Sequence, residues 1–387
     1  MYDVIVVGLG AMGSATIYHL AKRGAAVLGI DRFDPPHTLG SSHGESRITR
    51  QAVGEGEAYV PLVLRSYDLW RALEEESGQS LLRVTGGYII GPNDSQGNFH
   101  GLPDFVTRTV TIAQKYGIDH ELCSAAELRR RLPMFNIRDN EHAYFEPKHA
   151  LLLPEQIVKA HLDLAQQNGA HLRRNERVLD VAFNATNVTV TTDRHAYIAA
   201  RAVIAAGSWV STFLPEAERS TVGVYRQVFY WFEVDDPALF HEARCPWLMW
   251  LGGDAEDMFG LFPMVEGGRP GVKLLTEQFH QTSDPDSLAR TVQPAEIQDM
   301  VDRFLRPRLR GVSDRCLETA VCMYTVTPDR GFILDVHPDS ERVLIASPCS
   351  GHGFKHSAAI GEALAQLALG GTPTIDIGPF SLARFGD

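Results

Sequence analysis

Val4-Ile5-Val6-Val7-Gly8-Leu9-Gly10-Ala11-Met12-Gly13, followed eighteen residues later by Asp31, is the stretch whose reading decides the fold. Val4 to Val7 is a short β-branched run and reads as a buried strand. The three glycines then turn the chain into a helix expected over Ala15 to Arg23 and ended by Gly24. Val27 to Ile30 reads as a second strand that delivers Asp31 at its end. Glycines at these positions permit a tight turn and a close backbone approach to a pyrophosphate, whose charge the helix N-terminus stabilises. Asp31 can accept hydrogen bonds from ribose hydroxyls. A glycine turn without a ligand is the plain alternative. The strand before it, the helix after it and the acid in place all weigh against that. The motif does not distinguish one dinucleotide from another.

Outward from this β-α-β unit, Val60, Leu64, Tyr67, Trp70 and Leu73 recur at helical spacing, which predicts an amphipathic helix over Tyr59 to Glu76. Leu153 to Gln167 reads as another helix. Val178 to Thr192 alternates as a strand, Ala202 to Ala206 is an apolar strand, and Val228 to Phe232 is strongly β-prone. Gly353 to Leu369 reads as the last helix. The fold class is therefore α/β, with a Rossmann-like dinucleotide domain assembled from scattered pieces and a second, mixed-sheet α+β substrate domain. The expected division is 1–85, 150–215 and 318–387 for the first and 86–149 and 216–317 for the second.

Bulk properties agree with two domains. The chain has 387 residues, 44% of them hydrophobic, which exceeds what one core usually absorbs. The net charge of −12 disfavours nucleic acid and anionic membrane as partners. Five cysteines, Cys123, Cys245, Cys316, Cys322 and Cys349, form neither a disulfide framework nor a zinc site. Reduced thiols suit a cytoplasmic location. There is no secretory leader pattern, and no apolar run is long enough to span a bilayer.

Against an acidic background, clustered positive charge is informative. Ser42-His43-Gly44-Glu45-Ser46-Arg47-Ile48-Thr49-Arg50, with Gly54-Glu55-Gly56 after it, sets two arginines three apart, and each offers a planar fork suited to a carboxylate or phosphate. Taken alone, the segment reads more readily as a solvated loop with surface ion pairs. Ser350-Gly351-His352-Gly353-Phe354-Lys355 leads into the last helix and combines glycines, a helix N-terminus and a lysine, all of which favour an anion. Cys322, in Thr319-Ala320-Val321-Cys322-Met323-Tyr324-Thr325, reads by itself as an inert core thiol.

Together and in this order, these blocks resemble the monomeric sarcosine oxidase and N-methyltryptophan oxidase family over essentially the whole length. The resemblance implies FAD joined through its 8α-methyl group to Cys322. It implies an ADP half held by Gly8, Gly10, Gly13, Asp31, Arg32, Ser42, Val178 and Gly207, with Gly353 near the ring. His43 and Arg47 match residues beside the flavin, and Lys273, in Gly271-Val272-Lys273-Leu274, matches the lysine placed for oxygen activation. A lysine at a strand edge is its bland alternative. Arg50 and Lys355 match the pair that holds the substrate carboxylate, with Gly351 beside them. The implied reaction oxidises an N-methyl or other secondary amino acid with O₂ to an imine and H₂O₂, in a monomer. Oxidation of a cyclic imino acid such as pipecolate or proline is an alternative, as is a flavin dehydrogenase with another acceptor.

Beside the flavin, Ser46 replaces a threonine. Three departures from the family bear on the substrate. Phe259-Gly260-Leu261-Phe262-Pro263 lacks a tyrosine usually found lining the pocket, Glu277 stands where a histidine is frequent, and the stretch between Pro263 and Lys273 is slightly longer. Trp247 and Trp250 lie upstream as candidate replacements, with core packing as their plainer role. Glu277 suggests a cationic or hydroxylated group on the substrate, with a surface glutamate as the plainer alternative.

Overall fold

In the computed structural model, which describes residues 1–93, 99–252 and 258–386, Tyr2–Val7 lies at the centre of a sheet. It pairs in parallel with Val27–Ile30 on one side and Ala196–Ile204 on the other. The parallel run continues from Val27–Ile30 to His171–Arg173, and from the second half of Ala196–Ile204 to Ser340–Ser347. The first half of Ala196–Ile204 instead takes Val188–Thr192 as an antiparallel neighbour. One nine-residue strand thus joins a parallel core to an antiparallel ribbon.

The helices Ala11–Lys22, Tyr59–Ser77, Pro154–Gln167 and Ser357–Ala368 pack against one another beside this sheet. Ala11–Lys22 and Ser357–Ala368 touch closely. A Cβ on Gly361 would stand 2.4 Å from the Ala15 Cβ, so glycine sets that helix separation. Buried aliphatic residues fill both faces of the sheet, as a strand covered on two sides requires.

A second sheet of eight strands carries the other half of the molecule. Its order is Val312–Val326, Gly223–Val234, Val272–Thr276, Met258–Phe262, Trp247–Leu251, Gly87–Pro92, Glu141–Glu146, Glu121–Ser124. Only the Trp247–Leu251 and Gly87–Pro92 pair is parallel, so the sheet is mixed, as expected. Val312–Val326 runs unbroken through residue 318 and places Cys322 opposite Gln227. The strand that bears Cys322 thus belongs to this sheet and not to the one built on Tyr2–Val7.

Several boundaries differ from the sequence reading for local reasons. The first helix begins at Ala11 rather than Ala15, because the Ser42 hydroxyl accepts the Ala11 N–H at 3.0 Å and steadies its opening turn. Val178 to Thr192 is a hairpin of two strands, Val178–Phe183 and Val188–Thr192. Its turn is made by Asn184, whose side-chain oxygen accepts the N–H groups of Thr186 and Asn187. The last helix is preceded by a separate 3₁₀ turn over Phe354–His356. No helix among the described residues is long and apolar enough to cross a membrane.

Candidate active site

A single elongated cavity touches both sheets. It begins at Gly8, Gly10 and Asp31, passes Ser42 and Arg47, and ends among Arg50, Glu277 and Lys355.

At the first end the backbone is held where a side chain could not follow. Gly8 has φ +86°, and a Cβ there would meet the Ala205 carbonyl oxygen at 2.4 Å. Gly13 does not line the cavity. Its hydrogen faces the Gly8 carbonyl, which a Cβ would strike at 1.8 Å, so its part is to let the helix close on the turn. Asp31 has a structural task as well: Oδ2 accepts the Leu9 N–H at 2.7 Å and Oδ1 the Phe33 N–H at 2.8 Å. Arg32 extends over the Trp209 ring at 4.7 Å, and both donate to Asp286 at 2.8 Å. Val178 and Gly207, the latter at φ +55°, complete this wall. Trp209 and Asp286 carry no motif, and the sequence did not single them out.

The middle of the cavity is bounded by the loop Ser42 to Arg50. Gly44 (φ +95°) and Glu45 (φ +70°) turn sharply there. Glu155 accepts both of their N–H groups, at 2.7 and 3.1 Å. Lys273 holds the same turn from the other side, donating to the carbonyls of Gly44 at 2.9 Å and Ser46 at 2.7 Å. It sits on an interior strand paired on both sides, not at an edge. Its Nζ lies behind the cavity wall, 4.0 Å from the Phe262 ring centre and 5.3 Å from that of Phe229. Burial, then Arg47, pushes the Lys273 ammonium well below the ordinary lysine range, against the pull of Glu45 and Glu155.

Arg47 donates to the carbonyls of Ser46 and Ser41 at 2.9 Å, and its Nη2 lies 3.7 Å from Cys322 Sγ. Burial raises the Cys322 thiol, and Arg47 is the strongest opposing influence. His43 is buried with neither ring nitrogen partnered among the described residues. Burial and the Arg47 charge hold it down to about 3, so its ring is neutral.

At the far end Arg50 is almost fully buried and its Nη2 grips both Glu55 oxygens, at 2.7 and 2.6 Å. Burial pushes Glu55 upward, but Arg50 and then Lys355 outweigh it and hold the carboxyl well below its usual range. Lys355 donates to the His352 carbonyl at 2.7 Å, and burial lowers it to about 7. Arg50 is therefore paired with a carboxylate that the chain itself supplies, and the same charge acts on Lys355 through space. Gly54-Glu55-Gly56 was legible as a segment, but this role for Glu55 was not. Gly353 lies where a Cβ would fall 1.6 Å from the Pro348 carbonyl oxygen, and Gly351, at φ +83°, passes beside Glu277 and Tyr324. Trp247 lines the cavity. Trp250 instead donates to Glu141 at 2.8 Å in the core.

This cradle suits an extended dinucleotide. Gly10 at the N-cap places no side chain of its own over the helix N-terminus, and the same cavity is lined by the buried cations. A model for FAD dependent oxidoreductases matches residues 3–367. The chain belongs to that family. It is 39% identical to monomeric sarcosine oxidase of Streptomyces avermitilis over 99% of this chain and 97% of that protein. It is 35% identical to N-methyl-L-tryptophan oxidase of Yersinia pestis over 99% of each. In fold this flavoprotein oxidoreductase matches NikD, an unusual amino acid oxidase essential for nikkomycin biosynthesis. That match has a TM-score of 0.85, 23% identity, and coverage of 98% of this chain and 97% of that one.

Proposed function

We propose that the protein oxidises N-methyl or other secondary amino acids, giving an imine that water opens to an aldehyde or keto product and an amine. The observation that carries this reading is the meeting of Arg50 and Lys355 at the end of a cavity whose other end is a dinucleotide cradle. Both curated relatives named above are oxidases, one of sarcosine by its name and one of N-methyl-L-tryptophan. Bound FAD supplies a hydride acceptor for the carbon next to nitrogen and passes the two electrons to O₂, yielding H₂O₂.

The chain's own residues do the rest. Arg50 and Lys355 bind the substrate carboxylate and orient the amine. The Gly8 turn, Gly10, Ser42, Asp31 and Arg32 hold the ADP half, with Val178, Gly207 and Gly353 lining the cofactor's path. Arg47 and neutral His43 flank the ring. Lys273, kept dry behind Phe229 and Phe262, supplies a cation when O₂ becomes an anion, because a nearby negative charge raises its proton affinity. Gly351 leaves room for the substrate beside Glu277. Cys322 is the covalent attachment point, supported by its position against Arg47, whose charge favours the thiolate.

The segments 1–85, 150–215 and 318–387 form the nucleotide half in this reading, and 86–149 with 216–317 the substrate half. These are divisions of role. Five free cysteines fit the cytoplasm, and the name of the sarcosine oxidase relatives supports a monomer.

The test is peroxide release by the purified yellow protein with sarcosine, larger N-methyl amino acids, proline, pipecolate and primary amino acids. Secondary amino acids should rank first. Silence across the panel with flavin present would sink the proposal. Yellow colour remaining in the supernatant after acid precipitation would remove the Cys322 bond.

A further inference from the structure

At the far end of the cavity a buried pair stands apart from the carboxylate-binding cations. His100 Nε2 lies 2.9 Å from Glu277 Oε2, and the two side chains are 3% and 5% exposed. Both line the cavity together with Arg50 and Lys355.

The chain strains itself to put His100 there. Its φ is +55°, in the left-handed region that disfavours a non-glycine residue. Mutual hydrogen bonds between the backbones of Phe99 and Leu102, at 3.0 and 2.9 Å, fix the turn. The ring stacks on Phe99 at 3.7 Å and meets the edge of Phe279 at 5.5 Å. On the other side, a Cβ on Gly351 would come within 3.2 Å of Glu277 Oε1 and 3.1 Å of the Tyr324 ring. Only glycine there gives Glu277 its place without crowding.

The chemistry of the pair is one-sided. A carboxylate only accepts hydrogen bonds, so the imidazole nitrogen facing it carries the hydrogen. In the neutral ring the other nitrogen, Nδ1, is then an acceptor. That atom is buried and has no partner among the described residues. A buried acceptor without a donor is destabilising. With the Glu277 carboxylate beside it in the lining of the same cavity, it forms a socket for a donor.

We propose that His100 and Glu277 recognise a hydrogen-bond donor, a hydroxyl or an ammonium, on the side chain of the amino acid substrate. This rests on the reading of the cavity as a site for secondary amino acids. The substrate is then a polar N-substituted amino acid. Sarcosine has no side chain to place in the socket.

The test compares kcat/KM for two isosteric pairs. N-methylserine is set against N-methyl-2-aminobutyrate, and N-methylornithine against N-methylnorleucine, with N-methylaspartate as a control. The donor-bearing member of at least one pair should be favoured by about 100-fold, and which pair responds separates hydroxyl from ammonium. Glu277→Gln should shrink that ratio to about tenfold or less while the flavin spectrum stays unchanged. His100→Asn should also shrink it.

Equal rates within both pairs overturn the proposal and leave secondary amino acid oxidation standing. Preference for N-methylaspartate also overturns it, since that requires a protonated, donating pair. Failure of every secondary amino acid, proline and pipecolate included, to bleach the flavin overturns both readings. The wild-type comparison decides even where a variant fails to fold.

Discussion

Replacing Glu55 with glutamine should make the protein bind simple carboxylates more tightly. Arg50 Nη2 holds both Glu55 oxygens in a site where the two side chains are 2% and 5% exposed. An incoming carboxylate must displace Glu55 or share its guanidinium. Removing one partner of a buried ion pair costs about 3–5 kcal/mol, because the survivor is left charged and alone. An external carboxylate that re-forms the pair recovers that energy as affinity. The glutamine can still accept a hydrogen bond from Arg50, so roughly half should be recovered, about 2 kcal/mol or near 30-fold in Kd. Glu55 also raises the proton affinity of Lys355, and its loss lowers that lysine below about 7. The comparison therefore belongs near pH 6, where Lys355 keeps more of its charge. Titration with acetate, read from the visible flavin spectrum, measures the effect. Thermal melting should fall by several degrees in the variant and recover with acetate. Unchanged or weaker acetate binding in a folded, flavin-loaded Glu55→Gln protein would refute the competition.

Further outcomes follow from the same geometry. Carboxylate affinity in the wild type should fall as pH rises through about 7, where free Lys355 loses its proton; binding an anion there requires proton uptake. Lys355→Met should abolish that dependence and raise KM. Lys273→Met should slow flavin reoxidation by O₂ about 100-fold, seen in stopped flow after anaerobic reduction, with reduction by substrate little changed. Gly353→Ala sets a Cβ 1.6 Å from the Pro348 carbonyl and should yield colourless or insoluble protein, read as the flavin-to-protein absorbance ratio. Cys322→Ser should release its flavin on acid precipitation.

The N-terminal unit was legible because its demands are local. A β-branched run, glycines at a turn and an acid at the next strand end each leave a mark on the sequence. The mixed sheet could be anticipated only in class. Trp247–Leu251 pairs with Gly87–Pro92, and Val312–Val326 with Gly223–Val234, and no local pattern records such distant partners. The same distance hid the site's finer parts. Arg50 and Lys355 were visible through their motifs, whereas His100 meets Glu277 across 177 residues and Trp209 meets Asp286 across 77. Lys273 was expected near the flavin, with a strand edge as its plain alternative. Its interior position follows from pairing to Trp231 on one side and Phe262 on the other, which spacing cannot reveal.

The strand Val312–Val326 carries a mechanical consequence. Cys322 is woven into the second sheet by pairing with Gly223–Val234, while the cradle for the other end of the cofactor hangs from the first sheet at Gly8 and Asp31. A flavin bonded at Cys322 and gripped at its ADP end would act as a rivet through the molecule. Neither sheet could then loosen without straining the other through the cofactor. Heat should melt the loaded protein in one step, and the flavin-free chain in two.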